Sequence, residues 1–475
     1  MLFCSEAFLV FFAVVFTAYW LMPWRQARVW LLLGASFYFY ASWNHWLALI
    51  ICVTSAMDYF VALGMERSER PLWRRTLLIG SLVVNLGLLV YFKYANFFLQ
   101  SLQDALTAAG AQASLPVLSV ILPVGISFYT FEAINYTVDV YRRKVPAERS
   151  LANFLLFITF FPHLVAGPIV RARDFLPQVQ RPKKWDWLRM QLGAQFFLVG
   201  LFKKLVIADR MSLYADPVFA NPEAYRSGVI WIAVIAYALQ IYCDFSGYTD
   251  MALGAAHMLG YKLALNFNMP YIAANISDFW RRWHISLSSW LRDYLFIPLG
   301  GSRGSRWLTA RNFMITMSLG GLWHGAAWTF VVWGVLHGVY LIVHRAFADF
   351  CKTRPRLDGA MQSAPGTAAR VSLTLLAVCV GWIFFRATSF EIAGVMLQRM
   401  VVPHDGMATP LWHWGVWLTV LVVVAAHLTA TYTDFRKQLI VTAPAPALGV
   451  TYALLLTMIL VLTPDVGKAF IYFQF

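Results

Sequence analysis

Two histidines are the residues through which this sequence can do chemistry. His284 lies in SDFWRRWHISLSSW and His324 in SLGGLWHGAAW, about forty residues further on. Near neutral pH an imidazole both accepts and donates protons, which is what acid–base catalysis asks of a side chain. His324 sits in a long apolar run, where burying an ionisable group is costly and therefore points to function. Gly320, Gly321, Gly325 and Ala326 around it remove bulk and would let a second helix or a thin acyl chain approach the ring. The same small residues equally suit plain helix packing around a hydrogen-bonded core histidine.

The element that positions His284 reads as one helix over about 277–296, with Asn275 or Ser277 as its N-cap and Pro298, Gly300 and Gly301 as its stop. Asp278, Arg281, His284, Ser288 and Arg292 then share one face, and Trp280, Trp283, Leu287, Trp290, Leu291 and Tyr294 form an apolar one. Such a helix lies at the membrane interface or dips partly into it. A ring held between two guanidiniums is discouraged from protonating and stays a neutral proton carrier. Arg281, Arg282 and Arg292 are candidates for binding the phosphates of an acyl donor, or equally lipid headgroups.

Other polar residues lie at membrane depth. Glu132, Asn135 and Asp139 follow helical spacing in GISFYTFEAINYTVDVYRR, and Asp244 and Asp250 fall in YCDFSGYTDMALG. Each is a candidate to support a substrate or a catalytic ring, although pairing with a cation to hold helices together is the commoner use. His163, between Pro162 and Pro168, marks a broken or re-entrant helix. His337 and His344 share a face that does not join His324. Five scattered cysteines with no C-x-x-C spacing support neither a disulfide framework nor a metal site, so no metal is expected.

The medium around these residues follows from composition. Of 475 residues, 60% are hydrophobic and 13% charged, and the mean hydropathy is +0.61. Apolar windows recur around 7–22, 76–92, 191–207, 229–243, 370–385, 412–428 and 448–463, with interrupted ones near 28–62, 116–139, 151–170 and 312–343. At about 20 residues per crossing these give roughly nine to twelve transmembrane or re-entrant helices in a single all-α membrane domain over 1–475, the first read as uncleaved. The net charge of +15 comes from short Lys/Arg clusters between apolar runs. That is the positive-inside pattern of a multi-pass protein facing anionic lipid, and it carries no nucleic-acid motif.

Taken together, WRRWHIS, GGLWHGA, LPVGISFYTFEAINYTVDVYR, FFPHLVAGPIVR, YCDFSGYTDMALG and the terminal YFQF resemble the membrane-bound O-acyltransferases over essentially the whole chain, in particular their alginate-acetylating bacterial branch. The resemblance implies a helical bundle with interfacial helices around a central tunnel in the bacterial inner membrane. It puts the family's histidine on His324 and its second position on His284. It also implies acetyl transfer from a cytoplasmic thioester, acetyl-CoA, with no bound cofactor, toward an exopolysaccharide such as alginate, completed by periplasmic acetyltransferase partners. Tyr472 resembles the terminal tyrosine of companion peptides in teichoic-acid D-alanylation and is a candidate acyl relay, against the ordinary role of an interfacial aromatic anchor. A D-alanyl or other acyl transferase acting on another cell-envelope glycan is the nearest alternative. A transporter or flippase is the rival of another class, opposed by the lack of duplicated halves.

Overall fold

The computed structural model describes residues 1–111, 114–165, 167–409, 411–432, 444–464 and 470–471. Tyr472 lies outside the described residues. The regular elements of the described residues are all helices, with no strand beyond an isolated bridge between Tyr225 and Met407. By internal packing they divide into two compact units, Met1–Phe197 with Met251–Ala264, and Leu198–Asp250 with Leu265–Phe475.

Among the described residues seven helices are long and apolar enough to cross a bilayer: His45–Arg67, Pro71–Ala108, Trp187–Ala220, Ser227–Met258, Trp328–Lys352, Ala364–Arg386 and Ala445–Leu462. Glu6–Leu21 and Trp414–Ala430 are shorter apolar helices. The spans turn large apolar side chains outward, as Val450, Leu454, Leu460 and Val461 do, which only a lipid solvent makes favourable.

In the first unit α1 (Glu6–Leu21), α2 (Arg25–Ala41), α3 (His45–Arg67) and α4 (Pro71–Leu89) are followed by α5 (Ala95–Ala108), α6 (Ile126–Tyr141), α7 (Leu151–Thr159), α8 (Phe161–Leu164) and α9 (Ala172–Gln180). Ser5 and Asn44 cap α1 and α3 through their side chains, meeting backbone N–H groups that have no partner within the helix. The rings of Phe8, Phe39, Phe161 and Phe197 pack on one another in its core, as in Phe39 against Phe161 at 5.8 Å. The expected break at His163 is present as the step between α7 and α8. The segment that follows α8 is held from α6, since Val170 N–H donates to Glu132 Oε1 (2.8 Å) and Asn135 Nδ2 donates to Val170 O (3.0 Å).

The chain continues through α10 (Trp187–Phe202), α11 (Asp209–Ala220) and α12 (Ser227–Met258). The second unit then holds α13 (Ile276–Arg282), α14 (Ile285–Leu291), α15 (Arg306–His324), α16 (Trp328–Lys352), α17 (Pro355–Gln362), α18 (Ala364–Arg386), α19 (Phe390–Val401), α20 (Trp414–Tyr432) and α21 (Ala445–Leu462). Close packing of α15 on α16 depends on two glycines. A Cβ on Gly321 would stand 2.2 Å from Phe330 O, and one on Gly334 would stand 2.2 Å from Met317 O. Those contacts forbid any side chain and fix how the helix ending in His324 is set.

Candidate active site

The expected single helix over 277–296 is interrupted at the residue that matters. Asn275 caps α13, its side chain accepting from Asp278 N–H at 2.8 Å, and α13 ends at Arg282. His284 then adopts a left-handed backbone (φ 42°, ψ 55°) before α14 begins. For a residue with a Cβ that conformation costs about 1–2 kcal/mol, so something outside the helix must impose it.

The irregular stretch 266–268 supplies that constraint. Asn268 N–H donates to Arg282 O and Ile285 N–H donates to Asn266 O, both at 2.9 Å, so backbone groups on either side of the interruption are paired. The Asn266 side chain accepts from Ser286 Oγ (2.6 Å) and from Ser286 N–H (3.3 Å). Asn266 is fully buried, and nothing in its local sequence marks it. Asn266→Ala is expected to lower kcat by between about 10- and 100-fold at unchanged KM, as small misplacements of a catalytic group do. A steady-state comparison with Ser286→Ala, which keeps the Ser286 N–H bond, is expected to show the milder loss there.

The break turns His284 inward. Its exposure is 0%, whereas Arg281, three residues earlier, is exposed. His324 closes α15 with 3% exposure, and the two imidazoles meet with ring centroids 6.3 Å apart. An oxygen at about 3 Å from a nitrogen of each ring fits a separation of this order. Aromatic rings wall both. Phe245 stands edge-on to His284 at 4.7 Å, Trp323 lies 5.9 Å from His284 and 5.1 Å from His324, and Trp333 and Phe385 flank His324 at 5.0 and 5.1 Å. Burial pushes the His284 imidazole down to about 3. It is thus held neutral by desolvation, and not, as the sequence suggests, by the adjacent guanidiniums.

Gly325 does not open a passage to His324, because the Phe330 ring occupies the position that a Cβ there would take. The glycines around this histidine serve helix packing, the simpler of the two sequence readings. His337 lies against the other neighbour of His324, its ring 4.7 Å from Trp333.

A cavity of about 360 Å³ opens beside α13, α14 and α15, with Arg281, Arg292, Ser277, Ser288 and Ser289 among its polar lining and Trp280, Met317 and Phe296 among its apolar lining. Arg281, Arg292 and Ser288 are thereby brought together. Arg282 is not among that lining. It is ion-paired with Asp278 at 3.0 Å and donates to Asn268 O at 3.3 Å, so both residues belong to the scaffold of the break.

Glu132 and Asp244 have structural partners. Glu132, besides Val170, lies 3.1 Å from His163 Nδ1 in the first unit, and Asp139 is buried on the same helix. Asp244 pairs with Lys204 at 2.7 Å and accepts from Ile471 N–H at 2.7 Å. Next to it, Phe245 packs on His284, and Phe470 packs on Phe245 (6.0 Å) and Tyr248 (4.3 Å). Asp244 therefore anchors the last described residues to the aromatic wall of the histidine pair.

A model of the membrane-bound O-acyltransferase family matches residues 3–376. The chain belongs to that family. It is 41% identical over 443 residues to a probable alginate O-acetylase of Pseudomonas syringae pv. tomato, covering 92% of this chain and 82% of that one. It is 37% identical over 404 residues to a peptidoglycan O-acetyltransferase of Helicobacter pylori, covering 79% and 73%. It is 28% identical over 281 residues to a teichoic acid D-alanyltransferase of Bacillus subtilis, covering 56% and 69%. The protein is a multi-pass membrane O-acyltransferase.

Proposed function

We propose that this O-acyltransferase moves an acetyl group from acetyl-CoA, taken at the cytoplasmic face of the inner membrane, toward an envelope polysaccharide of the alginate kind. The observation that carries the reading is the buried pair of imidazoles, 6.3 Å apart, at the end of α15 and in the break before α14. His324 takes the proton of the acceptor hydroxyl as its oxygen attacks the thioester carbonyl. The tetrahedral intermediate carries negative charge on the former carbonyl oxygen, and a neutral His284 that presents an N–H there stabilises it. Collapse breaks the C–S bond, and the imidazolium of His324 returns the proton to the departing thiolate. The ring wall keeps water from competing for the acyl group.

Arg281 and Arg292, at the mouth of the cavity that Ser288 also lines, are assigned to the phosphates of the donor, to which guanidinium forks are well matched. Arg282, Asp278, Glu132 and Asp244 hold helices and backbone in place. Tyr472 is retained as a candidate relay for the acyl group toward periplasmic acetyltransferase partners. Acetyl over D-alanyl transfer is favoured because the acetylating relatives match at higher identity over more of the chain. Incubating purified protein with radiolabelled acetyl-CoA is expected to release CoA and transfer label to a polysaccharide or partner acceptor. Turnover with a D-alanyl thioester of a carrier protein but none with acetyl-CoA would reverse the assignment.

A further inference from the structure

Away from the histidine pair, the first unit contains a small cavity of about 80 Å³ whose charged lining is entirely cationic: Arg25 and Arg28 at the start of α2, and Arg181 and Lys183 just beyond α9. Tyr19 and Tyr261 form its aromatic sides. Two segments distant in sequence thus bring four positive charges to one recess that no carboxylate lines. A second basic recess, lined by Arg74, Arg142 and Arg143, contrasts with it because Glu69 lies there in an ion pair with Arg143.

Three of the four cations have contacts that hold them in place. Arg28 Nε donates to Met22 O at 2.7 Å and its Nη1 donates to Lys183 O at 3.0 Å, while the guanidinium carbon sits 5.0 Å from the Tyr19 ring centre. Arg25 Nη1 donates to Val179 O at 3.4 Å, and Lys183 Nζ lies 4.1 Å over the Tyr261 ring. Backbone carbonyls and ring faces orient these groups without neutralising them. The cost of gathering them shows at Lys183, whose ammonium is pushed down to about 8 by burial and by the charges of Arg189 and Arg181. Trp24, Trp185 and Trp187 are exposed nearby, and Trp185 packs on Trp20 and Trp187 at 5.1 Å each. Indole clusters of this kind mark the headgroup level of a bilayer.

We infer that this recess binds a phosphate group, presented by an anionic phospholipid headgroup or by a soluble phosphate. Its size suits one such group, and forked guanidiniums with an ammonium suit its oxygens. At headgroup depth an anionic lipid supplies that group in the plane of the cations.

Native mass spectrometry of the full-length, delipidated protein with phosphatidylglycerol or phosphatidylcholine, alongside melting-temperature measurements with inorganic phosphate alone, tests the inference. One phosphatidylglycerol per chain, retained in preference to phosphatidylcholine, is expected. Stabilisation by inorganic phosphate without that lipid selectivity would name the soluble source instead. Arg181→Gln with Lys183→Met removes two charges and keeps an unbranched apolar side chain on Tyr261. This double variant is expected to weaken binding by about 30-fold. Lys184→Gln, at an exposed neighbour outside the lining, is expected to leave binding as it was. Equal retention of the two lipids and no response to phosphate in the unaltered protein would overturn the inference, whether or not the double variant folds. So would unchanged binding in a double variant that melts normally.

Discussion

His324→Ala is expected to lower acyl transfer by about 10²–10⁴-fold, the range over which a positioned proton acceptor contributes to such reactions. The ring is 3% exposed and lies among Trp323, Trp333 and Phe385, so alanine also leaves a void. His324→Gln separates the two effects, because glutamine fills most of the volume and hydrogen-bonds but does not take up a proton near neutral pH. Equal losses of kcat in both variants, with the melting temperature retained in the glutamine one, are expected from single-turnover assays with labelled acetyl-CoA. Full turnover in His324→Gln would remove the proton-transfer role and leave His324 as a packing residue. The structure gives this test its sharpness. His324 ends a helix seated by Gly321 and Gly334 against α16, so its backbone has little freedom to compensate.

The largest effect on stability is expected from Lys204→Met. Lys204 is 1% exposed and its Nζ lies 2.8 Å from Asp209 Oδ1 and 2.7 Å from Asp244 Oδ1, carboxylates that are 3% and 4% exposed. Removing the cation strands two buried anions, a change of the kind that costs about 3–5 kcal/mol. The expected readout is a large fall in melting temperature in detergent. Activity is expected to fall with it, since Asp244 also accepts from Ile471 N–H and precedes Phe245, the ring against His284. Adding Asp209→Asn and Asp244→Asn to Lys204→Met removes the stranded charges and is expected to recover part of the loss. If Lys204→Met alone melts like the unaltered protein, the triad carries little of the fold.

Which residues are candidates for the chemistry was legible along the chain because membrane depth makes polar side chains conspicuous. His284 and His324 stand out against apolar neighbours, and His163 between prolines announced a break that α7 and α8 show. Short basic clusters were also visible, but not the convergence of Arg181 and Lys183 with Arg25 and Arg28, which lie more than 150 residues away and meet them through bonds such as that from the Arg28 guanidinium to Lys183 O. Asp244 was singled out and Lys204 was not, since a lysine after a long apolar run reads as an interfacial charge.

The sequence by itself determined the solvent of this protein, its helical class, most of its spans and the two imidazoles. Those are consequences of composition and of apolar runs whose length a bilayer dictates, both of which are local properties. Only the tertiary structure decided that His284 leaves the helix and turns inward. A period of 3.6 residues continues smoothly through positions 277–296, and no local signal opposes it. The interruption exists because Asn266 and Asn268, from the preceding stretch, offer its backbone other partners. Long-range hydrogen bonds of that kind offset the left-handed conformation, and they bring His284 to the end of α15 where His324 stands.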